Sequence, residues 1–560
     1  MFKDKLLVTS AIIYANGPAH LGHFAGVYFP ADVFVRYSKL RNRNVIHISG
    51  SDEHGVPITF AAIKEGITPK EITDKYYELN KKAFADCGIH FDSFTRTSSP
   101  TNHKLSQEFF LELLKIGALE ERSGKQLYCE NDEMFLSDRY VEGICHHCDS
   151  EGARGDQCDS CGKLVDALSL KEPKCQLCGN TPKIKTATHY YLLLEKFQNE
   201  VEEWFETRSE FKSNVKSFCK ALLKKGLQDR AITRDLDWGI PVPLESAKGK
   251  VLYVWFDAPI GYISGTHEWA EKLGKPELAK EFWENSDKDT TLINFLGKDN
   301  IIFHAILFPF MLLKQSKDYI LPTYIPASEF LNIGGEKFSK SKNRAIYIKD
   351  LIATFEADTL RWAIARNLPD TKDSDFTLED FQSRVNGELV GVIGNFVNRA
   401  LTFAHKYFDG KLPALKPELG DLDKEMLEKI LSIGKDVGES YDNFAVREAA
   451  NKIFLFAKDC NQYFDFKAPW KSRKDDLEDC GTAISLCLQA AKTMAVIFNP
   501  IMPFSAEKVF ELLNSPSKDF ADSEKLSLKV GQPLNNPQIL FGKIEDSQLE
   551  EFTDSIGLKK

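Results

Sequence analysis

The 560-residue sequence has no apolar run approaching the roughly 18–20 residues that a membrane-crossing helix needs. Its first apolar run, Leu6 to Tyr14, is too short for a signal sequence and lacks a cleavage signal. Internal repeats and low-complexity tracts are missing. With 43% hydrophobic and 28% charged residues, the composition also excludes a long disordered region. There is no excess of positive charge. The net charge of −10 does not suggest a nucleic-acid partner, yet does not exclude one, because a local basic face is enough. A disulfide framework is not expected. Six of the twelve cysteines fall in three Cys-x2-Cys pairs, which argues for metal in a reducing compartment. A chain of this length should form several domains.

The rest is organised around Pro18-Ala19-His20-Leu21-Gly22-His23. The run Leu6 to Tyr14 reads as a buried strand, Leu21 to Leu40 as a helix and Val45 to Ser49 as a second strand, which makes one βαβ unit. The histidines sit where loop becomes helix, among orphan N–H groups and the positive end of the helix dipole. At three-residue spacing they share the first turn and both can donate to phosphate oxygens. Gly22 lets a ligand lie against the backbone. Pro30 should kink or split this helix. Alone, the element is equally a turn with two surface histidines.

Far downstream, Asn332-Ile333-Gly334-Gly335 precedes Lys337-Phe338-Ser339-Lys340-Ser341. A Gly-Gly turn followed by closely spaced lysines fits a phosphate-gripping loop, or simply a solvated basic one. The two elements together resemble the signature pair of class I aminoacyl-tRNA synthetases: a His-x-Gly-His element and a Lys-Met-Ser-Lys-Ser loop, here with Phe338 in place of Met.

The second strand runs into Gly50-Ser51-Asp52-Glu53-His54-Gly55, placing acids at a strand's carboxyl end, where ligands bind in parallel sheets. Thr68-Pro69-Lys70-Glu71 has a capping-box pattern with Pro at the first helical position, so a helix is expected to about Ala85, and another over His103 to Ile116. Between Tyr128 and Pro182 the composition changes. Cys145, Cys148, Cys158 and Cys161 have zinc-knuckle spacing and would close a structural site. Cys175 and Cys178 either stay free thiols or join Cys129 and Asp132 in an unusual Cys3Asp site. A zinc-stapled insertion is similar to the connective peptide of methionyl-tRNA synthetases. Members with two knuckles carry Cys-x-x-Cys where this chain has Cys129-Glu130-Asn131-Asp132. Lys212, Lys216, Lys220 and Lys224 then form a basic stripe on a helix over Phe211 to Gly226, facing either solvent or tRNA phosphates.

Val251 to Trp255 and Thr291 to Phe295 read as strands, ending near Asp257 and at Gly297-Lys298-Asp299-Asn300. The runs Ala11 to Gly17, Val254 to Tyr262 and Phe295 to Asp299 make the resemblance specific to methionyl-tRNA synthetases. It implies that Asp52 holds the methionine amino group. It also implies that Ile12, Tyr14, Trp255, Ala258, Pro259, Tyr262 and His304 form the methionine pocket. Aromatic walls with a Tyr or His donor suit an apolar, polarizable thioether. ATP would lie against His20, Gly22, His23, Gly297, Asp299, Lys337, Ser339, Lys340 and Ser341, with His20, His23, Lys337 and Lys340 catalytic.

From Asp380 to about Leu513 the pattern is helical and suggests a bundle. Asn395 and Arg399 lie four apart on one face, and Trp470 stands beside basic residues, a combination that suits an unstacked RNA base. These match the anticodon-reading positions of methionyl-tRNA synthetases, with Trp470 stacking a base of CAU. The last stretch, Asn535 to Lys560, is polar and expected to fold back. Some relatives carry a further C-terminal tRNA-binding domain, with which this chain is not expected to continue.

The expected fold is α/β: a Rossmann-type parallel-sheet catalytic domain (1–117 and 231–322) split by a knuckle insertion (118–230). A stem region with the signature loop (323–380), an all-α helix-bundle anticodon domain (381–545) and a tail (546–560) follow. The expected activity is ATP-dependent ligation of methionine to tRNA(Met), with Mg2+ accompanying ATP and structural Zn2+. A cytoplasmic monomer without membrane contact is expected. The alternatives are another class I synthetase, another nucleotidyltransferase, or a non-catalytic tRNA-binding protein on the same fold. Lys340→Ala is expected to lower amino-acid activation by roughly 10²–10³, the scale of one lost charge stabiliser, with amino-acid affinity unchanged; pre-steady-state adenylate formation measures it.

Overall fold

A computed structural model describes residues 2–136, 140–155, 158, 160–161, 165–284, 289–334, 345–517 and 519–557. Lys337, Ser339, Lys340 and Ser341 lie outside the described residues. The central sheet is parallel. It runs from Pro322–Tyr324 through Thr290–Gly297 and β1 (Lys5–Ser10) to β3 (Asn44–Asp52), with β2 (Ile13–Tyr14) paired to the end of β3 on the β1 side. Strand β4 (Ser93–Arg96) pairs with β3, and Ala327–Ser328 with the far end of Thr290–Gly297. Leu6, Leu7 and Val8 are wholly buried, as expected of a strand covered on both faces. Strand β1 lies between β3 and Thr290–Gly297, so the connections leave it in opposite directions and open a crevice at the carboxyl ends.

The expected single strand Leu6 to Tyr14 is two. After Ser10 the ladder is interrupted at Ala11 and Ile12, and β2 rejoins β3 on the same side, pairing with Ser51 and Asp52. An unbroken apolar run does not reveal such an interruption. Val251 to Trp255 also differs: the strand stops at Leu252, and Val254–Asp257 is a short helix. A short apolar run fits either state, and here Trp255 lies flat on Phe303, with ring centroids 3.7 Å apart.

The helical run that carries Pro30 is divided by a π turn without ending. Leu21–His23 passes into a π turn, Phe24–Tyr28, and continues as Phe29–Leu40 with Pro30 near the start of that stretch. The wider turn accommodates the hydrogen bond that proline cannot donate. Phe303–Leu307 repeats this arrangement ahead of Phe308–Leu313 and Pro309. The shared pattern Phe-x4-Phe-Pro is a local recurrence too short to register as a repeat.

The insertion is carried on a long antiparallel ribbon, Leu119–Cys129 against Lys183–Leu192. At its end lies a small sheet of Val141–Ile144, Ala153–Arg154 and Lys171–Cys175. Thr68 caps Pro69–Asp86 with the expected capping box. The lysine stripe loses its first member. Lys212 precedes the helix Ser213–Lys225, and its buried ammonium donates to the carbonyls of Ala327 and Asp370.

The helical half includes Asn395–Tyr407, Asp421–Asp442, Val446–Lys467, Leu477–Phe498 and Pro503–Leu512. Contrary to the sequence reading, Leu477–Phe498 has the length and composition of a membrane span; its most apolar window has a mean hydropathy of 1.4 and is entirely buried in the bundle. The polar tail folds back through the helix Asp546–Ser555, which places Phe552 against Phe355.

Arg361 joins the halves. It is fully buried and donates to Asp32 at 2.7 Å, Cys87 O at 3.1 Å, Pro500 O at 2.9 Å and Ile501 O at 2.6 Å. Burial acts to raise the Asp32 pKa, but Arg36 and Arg361 outweigh it and hold the carboxyl below its ordinary value. Its stabilisation is therefore present at neutral pH and lost as pH falls below the ordinary carboxylate range. Arg361→Leu is expected to destabilise by about 3–5 kcal/mol at pH 7 and less in acid, measured as the thermal midpoint across pH.

Candidate active site and its surroundings

A cavity of about 430 Å³ opens at the carboxyl ends of β1 and Thr290–Gly297. It brings together His20, Gly22 and His23 from the helix start, Ile12 and Tyr14 from the stretch after β1, and Trp255, Gly297 and Asp299 from the second half. His20 is the helix N-cap. Its Nδ1 accepts from His23 N–H at 3.3 Å, and His23 Nδ1 accepts from His20 N–H at 3.2 Å. The rings stack at 3.5 Å. An Nδ1 that accepts leaves the proton of a neutral imidazole on Nε2, so both rings have a donor at the end suited to phosphate oxygens.

The other predicted pocket residues are packed behind this wall. Asp52, Ala258, Pro259, Tyr262 and His304 are buried and do not line the cavity. Burial lowers the His304 pKa to about 4. Its Nδ1 lies 3.0 Å from Asn300 O, which can only accept, so Nε2 accepts the Tyr262 hydroxyl proton across 2.8 Å. Both ring nitrogens are thus engaged, and Tyr262 is the donor of the pair.

The sequence reading missed several lining groups. Asn16 and Asn332 stood within quoted runs without a role, and Glu329 carried no motif signal. Arg234 lines an adjoining cavity of about 290 Å³ that shares Tyr14, Asn16, Trp255 and Asp299 with the first. It is placed there by the pairing of Thr233–Arg234 with Val251–Leu252, which no local pattern announces.

Two cysteine clusters are assembled. In each of the sets Cys145, Cys148, Cys158, Cys161 and Cys129, Asp132, Cys175, Cys178, all the ligand atoms lie within 4.8 Å of one another. In the second, Asp132 Oδ2 is 3.0 Å from the sulfurs of both Cys129 and Cys175. Both sets have the donor number and softness of a closed tetrahedral metal site.

A family profile described as tRNA synthetases class I (M) matches residues 6–401, and one described as the anticodon binding domain of methionyl tRNA ligase matches 414–559. The chain belongs to the methionyl-tRNA synthetase family. A methionine–tRNA ligase of Bacteroides fragilis (strain YCH46) is 47% identical over 97% of this chain and 79% of its own. That of Pyrococcus furiosus is 44% identical over 98% and 76%. A solved Mycobacterium tuberculosis methionyl-tRNA synthetase in complex with methionyl-adenylate superposes with a TM-score of 0.80. It is 25% identical, over 96% of this chain and 99% of that one.

In the helical domain of this methionyl-tRNA synthetase, the three predicted anticodon residues share one exposed region. Arg399 lies over the Phe464 ring at 4.3 Å, and the Trp470 ring is 6.1 Å from the same ring. Asn395 is one turn before Arg399 on the helix Asn395–Tyr407. Trp470 is 40% exposed, which excludes a core role. Arg399 is also paired with Asp465 at 2.7 Å, a partner the sequence reading did not foresee, so RNA would compete with that carboxylate. Elemental analysis of the purified synthetase is expected to find two bound divalent ions per chain, and Asp132→Ala only one.

Proposed function

We propose that this chain condenses L-methionine with ATP to methionyl-adenylate and pyrophosphate, then transfers the methionyl group to the terminal adenosine of tRNA(Met). The observation that carries this reading is the single cavity joining the capped histidine pair, Asp299 and the Tyr14–Trp255 wall at the point where the sheet's connections diverge.

The α-phosphate and its neighbours would rest on the helix start, where His20 and His23 donate from Nε2 and backbone N–H groups add positive potential. Asp299 would accept from the ribose. Asp52 would receive the methionine ammonium, while Ile12, Tyr14 and Trp255, which line the cavity, enclose the side chain with Ala258, Pro259, Tyr262 and His304 packed behind them. The methionine carboxylate then attacks the α-phosphorus in line. The protein's contribution is positioning and charge stabilisation, with no covalent enzyme intermediate. Lys337 and Lys340 would neutralise the departing pyrophosphate, and magnesium enters as the counter-ion of ATP. Both cysteine clusters suit zinc; a closed shell has no open position and supplies structure alone. Asn395, Arg399 and Trp470 would read the anticodon, and the cytoplasm is the compartment of the reaction.

Methionine-dependent ATP–pyrophosphate exchange without tRNA tests the reading, with leucine, isoleucine, valine and cysteine as controls. Exchange with methionine alone is expected. Exchange with another amino acid would overturn the pocket, and none with any would favour the non-catalytic tRNA-binding reading. Trp470→Ala is expected to leave exchange unchanged and lower aminoacylation at least tenfold; equal loss in both assays would give Trp470 a folding role instead.

A further inference from the structure

Behind the cavity, the end of β3 buries three ionisable residues in a row, Asp52, Glu53 and His54. Glu53 is compensated: Arg96 donates to it at 2.7 Å and Ser98 also bonds it. His54 Nδ1 lies 2.8 Å from Oδ2 of Asp257, which is equally buried on the short helix between Trp255 and Ala258. Asp52 and Asp257 each retain a buried Oδ1 with no hydrogen-bond partner among the described residues. Two such oxygens in one apolar region are costly, and each needs a donor or a proton.

We propose that His54 and Asp257 are a positioning pair that sets the charge on Asp52, and through it the affinity for the methionine ammonium. The proposal rests on the reading of Asp52 as the ammonium acceptor. The N–H that His54 donates to Asp257 offsets part of that carboxylate's charge, so Asp52 faces a weaker negative neighbour and can stay a carboxylate, the form a cation requires. Without that donor, Asp257 repels a second charge and Asp52 holds its proton. Burial and then the Asp257 charge push the Asp52 pKa well above its ordinary value, which agrees with this geometry.

The other ionisable groups facing the pair do not supply this offset. Glu53 is matched by Arg96. The His103 ring lies 5.5 Å from that of His54; burial and then His54 lower its pKa to about 4, so it is neutral. Burial keeps Tyr262, on the Asp52 side, protonated. The third ring against His54 is Trp238, which carries no charge.

The test is the pH profile of kcat/KM for methionine in pyrophosphate exchange, whose acid limb reports Asp52. Asp257→Asn removes the repelling charge and is expected to move the limb to lower pH by at least half a unit. His54→Leu removes the donor to Asp257. It is expected to move the limb to higher pH and raise KM for methionine threefold or more at pH 7, with KM for ATP unchanged. The double variant should follow Asp257→Asn, since no charge is left for the donor to offset. Shifts in the same direction, or none, would overturn the pair, since lost packing cannot displace one limb both ways. Asp52→Asn separates the two readings. If it leaves KM for methionine unchanged, the role of Asp52 falls. If it raises KM while the opposed shifts fail to appear, only the pair falls.

Discussion

The constraint on which the molecule depends is one buried guanidinium. Arg361 stands at the meeting of the parallel-sheet half and the helical half, with its donors divided between them. Its anionic partner, Asp32, lies on the helical run that begins at His20, roughly 18 Å along at 1.5 Å per residue. A buried charge that loses its partner costs several kcal/mol. The bundle therefore cannot separate from the histidine-bearing helix without leaving Arg361 uncompensated, since Asp32 alone keeps a second partner in Arg36. The surface around Trp470 and the cavity at His20 thus belong to elements joined by a buried, directional contact.

What the sequence made legible was local. The loop ending at His20 and the first four cysteines are short patterns whose geometry follows from spacing. The capping box at Thr68 is equally short-range. What stayed hidden was long-range. The Cys3Asp alternative stayed open, because Asp132 meets the sulfurs of Cys175 and Cys178 only through the ribbon Leu119–Cys129 with Lys183–Leu192. His54 meets Asp257 across 203 positions. The lysine at 212 looked like part of a solvated stripe because periodicity says nothing about a neighbouring strand. There, the Ala327 and Asp370 carbonyls justify burying its ammonium.

The two proline-marked helices show why a chain-breaking residue can be retained at a site. Each follows a strand flanking the crevice, and each widens into a π turn just before its proline. The missing N–H is absorbed within the widened turn. His23 caps the first of these turns and His304 lies in the second. π turns are frequent at functional sites.

Leu477–Phe498 has a history as well as a position. Before it is made, the ribosome has already produced Asn395–Tyr407, Asp421–Asp442 and Val446–Lys467, which cover part of it. Pro503–Leu512 and Phe520–Glu524, which complete the cover, come afterwards. In that interval, a few seconds at roughly 5–20 residues per second, the nascent chain displays a helix that passes for a membrane anchor. The finished bundle erases that resemblance by burying the whole apolar window.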